Sequence, residues 1–526
     1  MKTIYDVIII GSGPAGVSAA WPLVKGGMNV LMLDGGEIAQ SKIPTDTMVQ
    51  NLELMRKTSD KRLLGNNFIG LNDDQLGSPK LRLSGFRQSI YLKYNSISTK
   101  NFNLVGAIGA GGLSNIWGGA CSFWDDDDLD GTLLNAEDLR HSYIEVSQRI
   151  GLSGKNDYAS KVPDGIIDLQ NPVRLTPKSQ FLLEKYQKYT GIKNILLGHT
   201  LNAVRTRDIE AQLGCNGCMA CMWGCDRYSI YSSKYDLSNL QKFPNFSIRG
   251  RTVAKKIIQA QDDSWNIACV VNGEDALTYI EGRQVVLALG SFASTSIYMR
   301  SFGNLESRLR AFSNPALSAA VISPGFFGKG LPKIGFGGAQ LSFKIPFKNG
   351  SKADYAYGLI FDAASLPAYD LMKHMPFTAK GSMRIVRELL PTMSILLVYF
   401  PARLSNYHVE LTNIDSVTVD GGLCKEYYAL EKFVKNEIKA FYQKLESFVL
   451  PGSIKRHAPG SEVHYGGMLG ANGILDIYGE VKGHKGLYVV DGAALPVLPA
   501  KSHTLTIMAN ADRIAKNIFL KWSNHN

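Results

Sequence analysis

The chain is poor in cysteine, with seven residues in 526, and four of those seven fall in one short stretch, "CNGCMACMWGC" at 215 to 225. Sparse cysteine argues against a secreted scaffold pinned by disulfides. Long hydrophobic runs are also missing. The longest, "MSILLVYFPA" at 393 to 402, is about half of the roughly 20 residues a spanning helix requires. The N-terminus "MKTIYDVIIIGSG" has one lysine, too few apolar residues for a signal h-region and no small-residue cleavage site before its glycines. It reads as a strand, and a cytoplasmic location is expected. There is no internal repeat and no low-complexity tract. In a reducing compartment clustered thiols point to metal binding or redox chemistry.

What is present is enough for a large core. A hydrophobic fraction of 45% over 526 residues supports two domains rather than one. The net charge of +11 favours acidic partners: phosphorylated substrates, an anionic membrane surface or an acidic electron-acceptor protein. Nucleic acid is not expected.

The first motif opens the chain. "YDVIIIGSGPAG" is an apolar strand running into Gly11, Gly13 and Gly16 at the spacing G-x-G-x-x-G, followed by the helix-compatible "VSAAWPLVKGG" and the strand "NVLMLD" ending at Asp34. Glycines let the turn tighten, the backbone approach a pyrophosphate and the helix pack on the strand, while the helix N-terminus attracts phosphate. An acid about 20 residues on accepts hydrogen bonds from a ribose. With strand, helix, strand and acid in register, a dinucleotide site is expected. FAD and NAD both remain open on these residues.

Three further segments, "GAIGAGGLSNIWGGACSFW" (106 to 124), "GRQVVLALGSFASTSIYMRSFG" (282 to 303) and "KGLYVVDGAALPVLPAKSHTLTIMANADRIAKNIF" (485 to 519), are strands or glycine-rich loops beside helical patterns. With the N-terminal unit they resemble the glucose-methanol-choline (GMC) family of FAD-dependent oxidoreductases. The resemblance implies an α/β fold with a discontinuous Rossmann-like FAD-binding domain and a substrate domain of mixed sheet and helices. The FAD-binding part would span 1 to 310, with a cysteine-rich insertion at 205 to 235, and return at 456 to 526. The substrate domain would occupy 311 to 455. It also implies that Gly290 lies close to the flavin, that Asp491 and Gly492 lie along the FAD ribityl and pyrophosphate, that the loop of Gly112 and Ser114 faces the isoalloxazine with its backbone and with Asn115, and that Val253 belongs to the cofactor contacts. Some relatives bond flavin covalently through a histidine in the 112 to 118 loop. Ser114, Asn115 and Ile116 offer none, so FAD is expected to be held non-covalently.

Catalytic groups are implied near the C-terminus. "SEVHYGGMLG" places His464 at the family's catalytic histidine, and "AKSHTLTIMANA" places His503 at the second catalytic position. Strict register aligns Ser502 with an asparagine of many relatives and His503 with their proline, so Ser502 is the alternative for that role. Hydride transfer from an alcohol to flavin requires an acceptor for the hydroxyl proton, which a near-neutral imidazole suits.

The spacing Cys215-x-x-Cys218-x-x-Cys221-x-x-x-Cys225 is that of a ferredoxin-type run, with Asp226 where a proline usually follows. Soft thiolates so spaced converge on a [4Fe-4S] or [3Fe-4S] cluster. Structural zinc sites favour two separated pairs, so zinc and a metal-free loop are the alternatives. Cys121 could replace Cys225 as fourth ligand, and Cys269 and Cys424 read as buried hydrophobes. Some flavin-dependent sugar dehydrogenases of the family have a cysteine-rich stretch near this point. That resemblance implies an alcohol substrate of the sugar or polyol class, with electrons passed on through the cluster. An oxygen-using oxidase with structural cysteines and a non-redox lyase on the same fold are the competing functions. Asp125 to Asp128 reads as a solvated loop or helix start. Residues 369 to 400 mix apolar and basic residues, so they read either as part of the core lobe or as a peripheral membrane contact.

Overall fold

The computed structural model describes residues 4–38, 88–157, 160–166, 168–189, 194–209, 212–225, 227–274, 276–347, 354–366, 369–372 and 375–524. Asp226 lies outside them. The apolar strand at the start of the chain, Tyr5–Ile10, is central to a parallel sheet. On one side it pairs with Val30–Leu33, which in turn pairs with Phe246–Arg249. On the other side it pairs with Leu277–Leu287, whose last residues carry Leu487–Val489. This 3-2-1-4-5 order is that of a doubly wound dinucleotide sheet. The first half of Leu277–Leu287 extends outward to pair antiparallel with Trp265–Val271, and that strand pairs with Thr252–Gln259. Val7, Ile9, Val30 and Met32 pack beneath two helices, Pro14–Lys25 and Thr504–Ser523. The far C-terminus therefore completes the layer that the N-terminus begins.

A second, antiparallel sheet is built mainly from the later chain. Its strands run in the order Phe448–Val449, Ala316–Ile322, Met393–Tyr399, Tyr355–Asp362, Leu341–Pro346, Leu196–His199. The last of these comes from the stretch assigned by sequence to the cofactor part. One face of this sheet buries Leu317, Leu341, Leu396 and Val398 against the long helix Lys425–Lys444 through Val434, Ile438 and Phe441. The run "MSILLVYF" is thus an interior strand paired on both edges, which corrects the membrane-contact reading of that part. A third sheet joins Tyr465–Gly466, Arg308–Ser313, Ser405–Asn413, Ser416–Leu423 and Ile97–Thr99. It carries the chain from the substrate-side strands into residues 460 to 467. Among the described residues, no helix is long and apolar enough to cross a membrane.

The first turn has the close approaches that its glycines foretell. Gly11 has φ +108°, and a Cβ there would stand 2.4 Å from the Ala288 carbonyl oxygen. A Cβ on Gly16 would lie 1.9 Å from the Gly11 carbonyl oxygen, so helix and strand meet only because neither residue has a side chain. Gly13 differs, since a Cβ built on it meets nothing within 4 Å. Gly16→Ala is therefore expected to destabilise the apoprotein by about 1–3 kcal/mol through overpacking. Gly13→Ala should leave apoprotein stability within about 0.5 kcal/mol and weaken FAD binding by about tenfold. Thermal unfolding of apoprotein together with flavin titration reads both. Equal effects of the two substitutions on stability would contradict this division.

Candidate active site

A cavity of about 760 Å³ is lined by residues of both large sheets, within the size range of sites for large ligands. At one end stand Gly11, Ser12, Gly13 and Asp34. Ser12 donates to Asp34 Oδ2 through its backbone N–H (3.2 Å) and its hydroxyl (2.5 Å), and the Gly36 N–H reaches Oδ1 at 2.8 Å. The acid is thus oriented by the protein before any ribose arrives. The helix Pro14–Lys25 begins at Gly13 with Pro14 as its first residue and without a side-chain cap, which leaves first-turn N–H groups for an anion.

Gly290, Asp491, Gly492, Gly112 and Ser114 also line the cavity, and Gly112 stands beside the dinucleotide turn, where a Cβ on it would lie 3.5 Å from Gly13 Cα. Asp491 accepts from the Gly290 N–H (2.9 Å), the Ser294 hydroxyl (2.5 Å) and the Ala493 N–H (2.9 Å). Burial pushes its carboxyl up to about 6 despite these donors. Two residues placed by resemblance against the cofactor lie elsewhere. The Asn115 amide donates to the Ala110 carbonyl and accepts from the Ser232 hydroxyl, both at 2.9 Å, so it braces the loop and does not line the cavity. Val253 packs beneath Gly35, outside the cavity wall. Gly16 also stays off the wall, in the packing position its motif assigns.

The other end brings His464, His503 and Ser502 together. The two imidazoles meet edge to face with centroids 4.7 Å apart, and His464 stacks on Tyr399 at 4.4 Å. Nδ1 of each is buried and has no protein partner. Burial, then the neighbouring His503, pushes His464 well below the ordinary imidazole range, and burial takes His503 down to about 4. Both rings are therefore neutral near pH 7 and able to accept a proton. His464 is held from behind by Asn314. The Asn314 N–H donates to the His464 carbonyl at 3.4 Å, and its side-chain amide donates to the carbonyls of Phe400 and Pro499 at 2.7 and 3.0 Å. His503 caps the helix Thr504–Ser523, and the preceding Ser502 carbonyl accepts from Trp124 Nε1 at 3.3 Å.

Sequence reasoning missed several groups here. Glu462, two residues before His464, lines the cavity, accepts from the Ser313 hydroxyl, and is pushed up to about 8 by burial. Between the two, Val463 has φ +64°, a strained value for a β-branched residue. Lys501 is paired with Asp128 and, at 3.3 Å, with Asp125. Burial opposes its charge, but the two carboxylates outweigh burial and raise its pKa. Asp128 is buried and also accepts from Tyr355, so the acidic run is not simply a solvated loop. Its signal was the basic residue beside Ser502.

Cys215, Cys218, Cys221 and Cys225 line one small cavity with Ile230 and Phe336. Burial pushes the Cys215 thiol up to about 12. Among the described residues, no three His, Cys, Asp or Glu side chains converge closely enough to hold a single metal ion. A tetrahedral zinc would need its sulfurs about 3.8 Å apart, given Zn–S bonds of about 2.3 Å; a cluster spaces its thiolates more widely. Cys121 is in a different core, on a strand paired with Leu201, which removes it as a fourth ligand. Cys424 is only half buried, at the start of the helix Lys425–Lys444, and Cys269 is fully buried.

The chain thus combines a discontinuous dinucleotide sheet with a cavity that two touching imidazoles line. Residues 455–511, which include His464, Asp491 and His503, match a family model described as GMC oxidoreductase. No curated protein sequence matches the chain. Among solved structures it is similar to pyridoxine 4-oxidase from Mesorbium loti, at 14% identity and a TM-score of 0.61, covering 98% of this chain and 99% of that one. It is also similar to a formate oxidase from Aspergillus oryzae RIB40 studied for FAD modification, at 12% identity and a TM-score of 0.61, covering 99% of each chain. The chain thus shares its fold with these two structures, and its residues 455–511 are similar to the GMC oxidoreductase model.

The depressed imidazoles set the expected pH profile. A base works in its neutral form, so rate is lost only as pH falls through its pKa. The rate constant for flavin reduction divided by substrate Kd should stay flat as pH falls through 6.5, with its acid limb well below that of an ordinary imidazole. Anaerobic stopped-flow across pH 4.5 to 9 checks this; a midpoint near 6.5 would place the base on an ordinary solvated imidazole.

Proposed function

We propose that the protein oxidises an alcohol to a carbonyl, with FAD held along the cavity from the Gly11–Gly13 turn to the imidazole pair. Gly11, Ser12, Gly13 and Asp34 would hold the adenosine and pyrophosphate half, and Gly112, Ser114, Gly290, Asp491 and Gly492 the flavin half. Bound FAD supplies the acceptor for a hydride. His464 takes the hydroxyl proton as the carbonyl forms, and the C–H bond gives up its electron pair. His503, in edge-to-face contact with that ring at 4.7 Å centroid to centroid, orients the hydroxyl from beside it. The observation that carries this reading is the pair of touching imidazoles, His464 and His503, that line one cavity with the dinucleotide turn.

The cysteine loop supports a one-electron outlet. Met222, inside the turn Cys221–Trp223, lines the large cavity while Cys221 lines the small one, so a single residue separates the two sites. An iron-sulfur cluster on Cys215, Cys218, Cys221 and Cys225 would supply transfer to an acceptor protein, and the net charge of +11 suits an acidic one. The two structural neighbours are named oxidases, which makes oxygen the competing acceptor.

His464→Ala is expected to keep flavin and fold while slowing flavin reduction by about 100-fold or more, the scale of a lost general base. Near-normal reduction would move the base to His503. Cys218→Ser should abolish cluster absorbance, preserve flavin reduction, and slow turnover with one-electron acceptors. Unchanged turnover with those acceptors, or zinc without iron in the wild type, would leave the loop a structural clip.

A further inference from the structure

Beyond the imidazole pair the cavity continues along the inner face of the antiparallel sheet. In Met393–Tyr399 the alternate residues Ile395, Leu397 and Tyr399 line it, and across the ladder Leu397 pairs with Leu359 and Ile395 with Phe361. Strand period places this row opposite the face that packs on the long helix. The row is open: Ile395, Leu397 and Phe361 are only half buried although they sit on an interior sheet. On the next strand Ser318, opposite Leu397, continues the row. Within the row itself Ser318 and the Tyr399 phenol are the hydrogen-bonding side chains, while His457, Ser461 and Glu462 line the cavity at its margin. Met222 adds a further apolar wall.

Such a chamber treats two kinds of alcohol differently. A sugar or polyol lying along this row would bring several hydroxyls out of water against Leu359, Phe361, Ile395 and Leu397, which offer none of them a partner, and unpaired buried polar groups are strongly disfavoured. A molecule with one hydroxyl and a hydrocarbon body would place the hydroxyl at His464 and His503 and bury the rest against Leu397, Ile395, Leu359 and Phe361. We infer that the substrate is an apolar alcohol, alkyl or aryl, bound with its hydrocarbon body along the face formed by Leu359, Phe361, Ile395 and Leu397, and not the sugar or polyol that the cysteine-rich relatives suggest. This assignment rests on alcohol oxidation at the imidazole pair, but it makes its own claim about binding.

The test separates the two. FAD-loaded protein is titrated anaerobically with the straight-chain primary alcohols from ethanol to decanol, with benzyl and cinnamyl alcohols, and with glucose and sorbitol. Both the shift of the flavin absorbance on binding and the rate of flavin bleaching are followed. Affinity is expected to rise about fourfold per methylene, the equivalent of burying one CH₂, until the chamber is full, and glucose and sorbitol should give no saturable shift. Leu397→Asn should flatten the chain-length dependence, and Phe361→Ala, a milder change on the same wall, should reduce it. Tight binding of apolar alcohols with no bleaching by any of them would uphold the substrate class and sink the oxidation at the imidazole pair. Saturable binding of glucose or sorbitol, chain-length independence, or no binding by any alcohol in the series would overturn the inference.

Discussion

One buried carboxylate holds the C-terminal part of this molecule to its middle. Asp491 accepts two N–H groups and a hydroxyl, from Gly290, Ala493 and Ser294, and so ties the C-terminal strand to a helix start two hundred positions earlier in the chain. A buried carboxylate with three donors is costly to disturb, because each donor would be left unpaired. The strand Leu487–Val489 can therefore take only one place in the parallel sheet, and the turn that follows it delivers Ser502 and His503 to the cavity. His464 comes by a separate route, through the third sheet and Asn314. The active site exists because these two routes end side by side.

Burial then sets the chemistry. Burial keeps both imidazoles neutral, and the neighbouring His503 further disfavours charge on His464. The same desolvation lifts Glu462 to about 8, which places a carboxyl able to hold its proton near neutral pH next to the bases. Charge is admitted close by only where it is compensated, at Lys501 with Asp125 and Asp128. That ion pair sits directly before Ser502, where it fixes the backbone leading to His503 and leaves the ring itself uncharged.

The distribution of polarity along the cavity follows from its two walls. The dinucleotide turn offers glycines, free N–H groups and a held acid, as an anionic, hydroxyl-rich cofactor requires. The inner face of the antiparallel sheet offers aliphatic and aromatic side chains. The imidazoles stand at the junction of the two walls.

The dinucleotide turn was readable from local sequence because its physics is local: three glycines, one strand and one acid lie within thirty residues, and each glycine has a steric reason that needs no distant partner. His464, His503 and the cysteine run were readable as positions in motifs, and the four thiols do share one cavity. Which side chains face the cavity was not readable. Asn115 turned inward because Ser232, over a hundred residues later, donates to it, and Cys121 was removed from the thiol cluster by a strand partner at Leu201. The acidic run looked solvated because its lysine lies more than 370 residues away. The apolar character of the chamber was hidden for the same reason: "MSILLVYF" contributes alternate residues to two different environments, and only the pairing of its strand decides which face meets the helix and which meets the substrate.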